Sequence, residues 1–228
     1  MELVAAMRTQ HACRYYLPDP VPLPVFHRAI EAARFGPQGG NRQPVRYLIV
    51  TDAAKREQLA KWYRVPWKAY MAAASTDQQA IEAASGDEKS TQITVSNPAK
   101  ALADADHFAD HFAEHPAIVV VLANLADTHP TDTDLGRLSI VGGASVYPAA
   151  QNLCLALRDQ GVATTLTTLL CMYEPQIKEL LGIPDELSTA AFIVAGYPAK
   201  PFPTTLLRRP VDQIAFVDSF DHPLTAPS

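Results

Sequence analysis

Three separated stretches carry residue types that could do chemistry. The first is His11-Ala12-Cys13-Arg14-Tyr15-Tyr16, the second Gly36-Pro37-Gln38-Gly39-Gly40-Asn41-Arg42-Gln43-Pro44, and the third Arg208-Arg209-Pro210. The first and third offer cations. The second offers a turn whose glycines and Asn41 tolerate positive φ and let a ligand approach the backbone closely. Each also has a plain structural reading. His11 and Arg14 could cap or pair locally, the Gly-Gly-Asn turn could join a helix to a strand, and two arginines in a tail are usually solvated.

Bulk composition narrows the chemistry. The chain has 228 residues, 48% of them hydrophobic and 19% charged, with a formal net charge of -5. That length supports one full-sized domain with a substantial core. Binding a nucleic-acid backbone needs clustered excess cation, so no nucleic-acid partner is expected, although a local basic site for one phosphate is compatible with the charge. Cys13, Cys154 and Cys171 are odd in number and widely spaced, forming neither a disulfide framework nor a metal knuckle. A reducing compartment follows. Residues 1–10 hold no long apolar run and no window reaches about 18 uncharged apolar residues, so neither signal peptide nor membrane span is expected, and the expected location is cytoplasmic.

The elements that must position these stretches are marked by 19 prolines. Residues 17–24 read as a loop. It leads into a helix with Pro24 in its first turn, Phe26, Ala29, Ile30 and Ala33 on one stripe, and an end at Phe35-Gly36-Pro37. Residues 47–50 read as a buried strand and 53–63 as a helix capped by Asp52. Residues 67–96 are rich in Ala, Ser, Thr, Asp and Gln, and suggest a helix plus a mobile excursion of the kind that forms lids. Further helices are expected at 99–114, 145–160 and 174–181, and strands at 117–123, 163–168 and 191–197. The tail 198–228 is proline-rich and extended. Buried strands among helices indicate an α+β or α/β class in one domain, 1–228.

Taken in order, the stretches resemble the FMN-dependent nitroreductase family. The family opens with a basic segment, a proline-bearing loop, a helix and a Pro-x-x-x-Asn-x-Gln-Pro turn before a strand. Here Gly143-Ala144-Ser145 opens a long helix, and Gly161-Val162-Ala163-Thr164-Thr165-Leu166-Thr167-Thr168 follows. Leu181-Gly182-Ile183-Pro184, Gly196-Tyr197-Pro198 and Arg208-Arg209-Pro210 then come in the family's sequence. The likeness spans nearly the whole chain except about 67–104, where family members differ most.

The resemblance implies an α+β nitroreductase-like fold, a mixed central sheet flanked by helices, and a C-terminal extension embracing the partner of a homodimer. It implies FMN as cofactor and NADPH or NADH as co-substrate. Hydride passes through flavin N5 to a small electron-poor acceptor, a nitroaromatic or quinone, in ping-pong order. The cofactor-binding residues it implies are His11, Ala12, Arg14, Pro37, Gln38, Gly39, Asn41, Thr167, Thr168, Leu169, Arg208 and Arg209. His11, Arg208 and Arg209 would meet the phosphate, and Arg14 the N1–C2 edge. The 37–41 loop would reach across from the partner subunit, and the amides around Thr167, Thr168 and Leu169 would lie near N5. No side-chain acid or base is required. Three departures stand out: Gln10-His11-Ala12 where Arg-Arg-Ser is common, Val45 for an aromatic, and Tyr16 for Phe.

Other functions on this fold include reductive dehalogenation, flavin destruction and FMN sequestration without turnover. No Gly-x-Gly-x-x-Gly follows a strand and no Gly-x-Ser-x-Gly elbow exists, so Rossmann and hydrolase readings lack support. His107, His111 and His115 share a helical face, but the outer two would lie about 12 Å apart and cannot bind one ion. They are expected at the polar edge of the Phe108/Phe112 stripe, and no metal site is expected.

Overall fold

The computed structural model describes residues 1–84 and 97–226, with the backbone alone over 73–84 and at 98. In chain order the elements are α1 (Leu3–Thr9), α2 (Leu23–Ala33), β1 (Val45–Val50), α3 (Ala53–Ala84), α4 (Pro98–Asp110), β2 (Ala117–Asn124), α5 (Tyr147–Asp159), β3 (Ala163–Thr167), α6 (Glu174–Leu181) and β4 (Leu187–Gly196). The strands form one sheet in the order β1-β2-β4-β3. β2 is buried on both sides, as its run Ile118-Val119-Val120-Val121-Leu122 requires.

Strand alternation divides the core into two apolar layers. Val119, Val121, Ile193 and Ala195 face Phe26, Ala29 and Ala33 of α2 and Leu153 and Leu157 of α5. Ile118, Val120, Phe192 and Val194 face Leu59 and Tyr63 of α3, Phe108 of α4 and Ile177 of α6. The result is a helix–sheet–helix sandwich. No helix among the described residues is long and apolar enough to cross a membrane.

All three strand pairings are antiparallel, where a mixed sheet was expected. Helix α5 returns the chain from β2 so that β3 runs in the same direction, as in a βαβ unit. However, β4 inserts between them and pairs antiparallel with both. Among the described residues, parallel pairing survives only as the Ala12–Thr164 bridge at the outer edge of β3. A register shift between Val121 and Leu122 leaves Ala190 unpaired, and its carbonyl accepts a 3.2 Å hydrogen bond from Tyr147.

Several boundaries differ from the sequence expectation. Helix α3 runs through Pro66 to Ala84 instead of ending near 63. An internal proline removes one backbone hydrogen bond; Tyr63, stacked on Phe112 at 4.3 Å, and Trp67, donating to Asp106 at 2.7 Å, anchor both sides of it. Much of the excursion expected over 67–96 is therefore helical, and its 85–96 part lies outside the described residues. The helix expected over 99–114 stops at Asp110, followed by one 3-10 turn, Phe112–Glu114. Arginines of α3 take the freed carbonyls: Arg56 donates to Ala113 at 2.8 Å and to His115, and Arg64 to Asp110. Asp52 accepts from the Lys55 amide at 2.9 Å, in the capping role expected of it. Gly36 ends α2 against α5, where a Cβ would stand 2.8 Å from the Ala149 backbone.

The three histidines of this region separate. His107 and His111 stack on one another with centroids 4.0 Å apart, while His115 turns inward, 4% exposed. His115 packs between Phe108 at 4.7 Å and Tyr16 at 4.9 Å, with Nε2 3.3 Å from the Phe108 carbonyl, so it sits in the core rather than at the polar edge. Burial pushes its pKa down to about 4. The unfolded chain binds a proton near pH 6.5 that the folded chain refuses until about pH 4. Stability from this group is therefore complete above the unfolded value and is lost as pH falls toward the folded one. Urea unfolding is expected to lose about 3 kcal/mol between pH 7 and pH 4 from this residue, a slope that His115→Gln should flatten.

Candidate functional site

Backbone pairing fixes the first basic stretch. The Cys13 amide donates to Thr164 at 3.1 Å on the edge of β3, Leu17 to Tyr197 at 2.8 Å, and Ala199 to Tyr15 at 3.0 Å. Side chains close the same seam. Thr165 donates to the Cys13 carbonyl, and Tyr16 donates to Thr165 at 3.0 Å. Tyr16 thus uses the hydroxyl that a Phe at this position would lack, and burial raises its pKa well above the usual range.

Arg14 emerges from this seam over an aromatic ring. The Arg14 guanidinium stands 5.1 Å from the Phe108 ring. Burial raises the pKa of the Tyr63 phenol, while Thr167 and the charge of Arg14 pull it down. Thr168 is exposed, and the Leu169 amide turns back to Thr167 Oγ1 at 3.4 Å. Tyr63 had been read only as the end of a helix.

His11 is half-buried, and its Nδ1 is buried without a hydrogen-bond partner. Burial lowers its pKa, a Thr9 backbone contact opposes this, and the charges of Arg158 and Arg14 lower it further. Ala12 is exposed. Gln10 is committed to structure, donating to Thr164 Oγ1 at 3.3 Å and accepting from Gln151 at 3.5 Å.

The 37–41 loop is held at the opposite end of α5. The Gly39 amide donates to Ser145 Oγ at 3.0 Å, just ahead of that helix. Gly40 and Asn41 have φ of 60° and 53°, the left-handed turn their types favour. Pro37 and Gln38 line an open pocket of about 320 Å³ with Gly39, Thr128, His129 and Ser145. Gln38 Oε1 is buried and unpartnered.

The pocket's far wall is ordered by one carboxylate. Asp132 is 4% exposed and accepts from Ser139 at 2.6 Å, the Ile140 amide at 2.9 Å and Arg137 at 2.8 Å, which holds its pKa down to about 2. Arg208 and Arg209 are exposed, and no hydrogen bond or ion pair joins them to the other predicted residues among those described. One protomer thus holds His11 beside Arg158 at the C-terminal end of α5 and Arg14 over Phe108, and keeps the 37–41 loop at the N-terminal end of α5, the end toward which β3 carries Thr167. Among the described residues no three His, Cys, Asp or Glu side chains converge as metal ligands.

The sequence pattern of the nitroreductase family matches residues 7–197, most of the chain. The chain belongs to the nitroreductase family. Solved structures agree on the fold. One is iodotyrosine deiodinase bound to FMN and 3-iodo-L-tyrosine, 21% identical, covering 96% of this chain and 100% of that one, with a TM-score of 0.68. A BluB-like flavoprotein from Clostridium difficile 630 is 16% identical over 96% and 100%, with a TM-score of 0.69. The NADPH:FMN oxidoreductase from Vibrio harveyi complexed with NAD+ is 16% identical over 95% of this chain and 77% of its own, with a TM-score of 0.63. These nitroreductase-fold relatives differ in activity, so the activity of this member must be argued from its own residues.

Asp132→Asn should free the wall of the pocket without melting the sheet. Hydrogen exchange at the Ile140 amide is expected to quicken about tenfold or more while exchange in β2 stays unchanged, because a charge-assisted bond to a carboxylate is replaced by a weaker neutral one. Unchanged exchange at Ile140 would mean that the loop is ordered by something else.

Proposed function

We propose that this nitroreductase-family chain is an FMN-dependent oxidoreductase. It passes hydride from NADPH or NADH to a small electron-poor acceptor such as a nitroaromatic or quinone. The observation carrying this reading is the seam along β3. It fixes the backbone that carries His11 and Arg14, two of the residues the family motif marks, against Thr164, and leaves His11 Nδ1 buried without a partner.

The residues present suit FMN. His11, with Arg208 and Arg209 of the tail, supplies cationic donors for a phosphate dianion. Arg14 provides a guanidinium for the N1–C2 edge, where reduced flavin is negative. The Leu169 region offers backbone at the end of β3, and the exposed Gly39 and Gly40 permit close approach of the 37–41 loop, where Gln38 Oε1 still lacks a donor. FMN, when bound, supplies a hydride acceptor at N5 that can be reloaded by one substrate and emptied by another. The protein's part is to bind it, orient it and leave one face open to both substrates in turn.

A homodimer completes this account. The 37–41 loop and His11 lie at opposite ends of α5, which suits a site to which a second copy lends its loop. Apolar side chains left uncovered on one protomer support this: Leu138 is 93% exposed, Ile140 78%, Ile214 61% and Phe220 85%. The tail folds locally through Val217–His222 and Leu224–Ala215 hydrogen bonds and offers these groups to a partner. Three free cysteines fit a cytoplasmic location.

The test is anaerobic. Protein loaded with FMN should lose its flavin absorbance on adding NADPH or NADH and recover it on adding a quinone or nitroaromatic. Bound flavin that neither nucleotide reduces would reject the reductase and favour a sequestering protein. The same preparation should bind FMN more weakly as pH rises from the lowered pKa of free His11 to the raised pKa it has beside a phosphate, since only the protonated ring donates from both nitrogens.

A further inference from the structure

A second cation lies beside His11 that no motif marks. Arg158, in the last turn of α5, is 9% exposed and has no carboxylate partner among the described residues. The adjacent acid, Asp159, is taken by the amino terminus at 2.5 Å. A guanidinium keeps its charge when buried, and burying an unpaired charge is costly.

Its obvious structural duty is already discharged by others. The last carbonyls of α5 are satisfied by Gln160 Nε2 on Ala156 at 3.2 Å, by the Val162 amide on Leu157 at 3.0 Å and by the Gly161 amide on Arg158 at 3.1 Å. Arg158 instead reaches away from the helix. Its Nη2 donates to Thr9 Oγ1 at 3.0 Å, and its Nε is buried without a partner. One face of the guanidinium is covered by Phe202, 3.6 Å from the ring centroid. Stacking on a face leaves the donors free, because all of them lie in the guanidinium plane. His11 meets the same Phe202 ring edge-on at 6.0 Å, with its own Nδ1 unpartnered. Two unsatisfied nitrogens thus flank one aromatic side chain, at the point where Gln10-His11-Ala12 stands in place of Arg-Arg-Ser.

We propose that Arg158 is a phosphate-binding residue, forming with His11 a pocket for the phosphate monoester of FMN, with Phe202 holding its guanidinium in place. This rests on the FMN reading above. It adds a permanent positive charge, held by α5, beside the titrating imidazole of His11 and in addition to the tail arginines. A phosphate monoester carries nearly two negative charges at neutral pH, and a planar guanidinium binds its oxygens from the edge. Arg158 lies outside the short segments that carry the resemblance, so its charge comes to the site from α5 through the packing of this chain.

The experiment compares FMN with riboflavin, which lacks the phosphate, by fluorescence titration of flavin-free protein. Arg158→Gln should weaken FMN binding about 10-fold or more and leave riboflavin binding unchanged. Arg158→Lys should recover part of the loss, since it restores charge but not the planar fork. Equal FMN affinity in the natural and Arg158→Gln proteins overturns the proposal while leaving the FMN reading intact. So does an equal loss for both flavins, which marks a merely structural arginine. Should Arg158→Gln fail to fold by circular dichroism, the ratio of FMN to riboflavin affinity in Arg158→Lys decides: a ratio equal to the natural protein's overturns the proposal, a reduced one supports it. Natural protein that binds neither flavin removes both this proposal and the reading beneath it.

Discussion

The seam between residues 12–17 and the sheet is the constraint on which the rest depends. Its backbone bonds to Thr164 and Tyr197, and the Tyr16 and Thr165 hydroxyls that run to the Cys13 carbonyl, hold the basic stretch at the sheet's edge against two strands whose apolar faces form the core. Arg14 and His11 have little freedom once that seam is made. Arg14 falls over Phe108, and His11 falls beside Arg158 and Phe202. A loop of the same sequence without these partners would leave the cations solvated, and ordering them on a ligand would then cost conformational entropy at the moment of binding.

Helix α5 imposes the second constraint. From Tyr147 to Arg158 it rises about 17 Å at 1.5 Å per residue, and it separates the 37–41 loop from the basic pocket. Its packing against α2 is tight enough that Gly36 admits no side chain. Within one chain the loop and His11 therefore stay at opposite ends of the helix. Symmetry offers the economical solution, because in a two-fold dimer each copy lends its loop to the other's pocket and two sites form together. In the proposed dimer the exposed apolar groups of the 135–140 loop and the tail would form the interface, and the tail arginines would meet the phosphate.

Much of this was legible in the sequence because local rules act locally. The stripe of Phe26, Ala29 and Ala33, the stop at Gly182 and the apolar run of β2 each fix an element with little help from the rest of the chain. Sheet direction was not legible, since whether β4 enters between β2 and β3 is decided by packing over long separations. The passage of α3 through Pro66 was hidden for the same reason: its anchors, Phe112 and Asp106, lie more than 30 residues away. Helix α1 escaped notice because seven residues carry too little periodicity, and Thr9 and the amino terminus hold it by contacts with Arg158 and Asp159. In the site, the motif residues could be named from type and order. Arg158 could not, because a charged side chain near a helix end reads as solvated until its burial is seen.

The central claim is that each site is assembled from two chains, and mixed dimers test it most directly. One variant, His11→Ala with Arg14→Ala, removes the basic half; the other, Gly39→Phe, blocks the loop half at a position where a Cβ meets nothing closer than 3.5 Å. Neither homodimer should retain FMN. A hybrid purified through two different tags carries one doubly altered site and one natural site if the halves come from different chains. Shared assembly predicts one FMN per hybrid dimer. A hybrid that binds none, as two self-contained and separately damaged sites would, contradicts it.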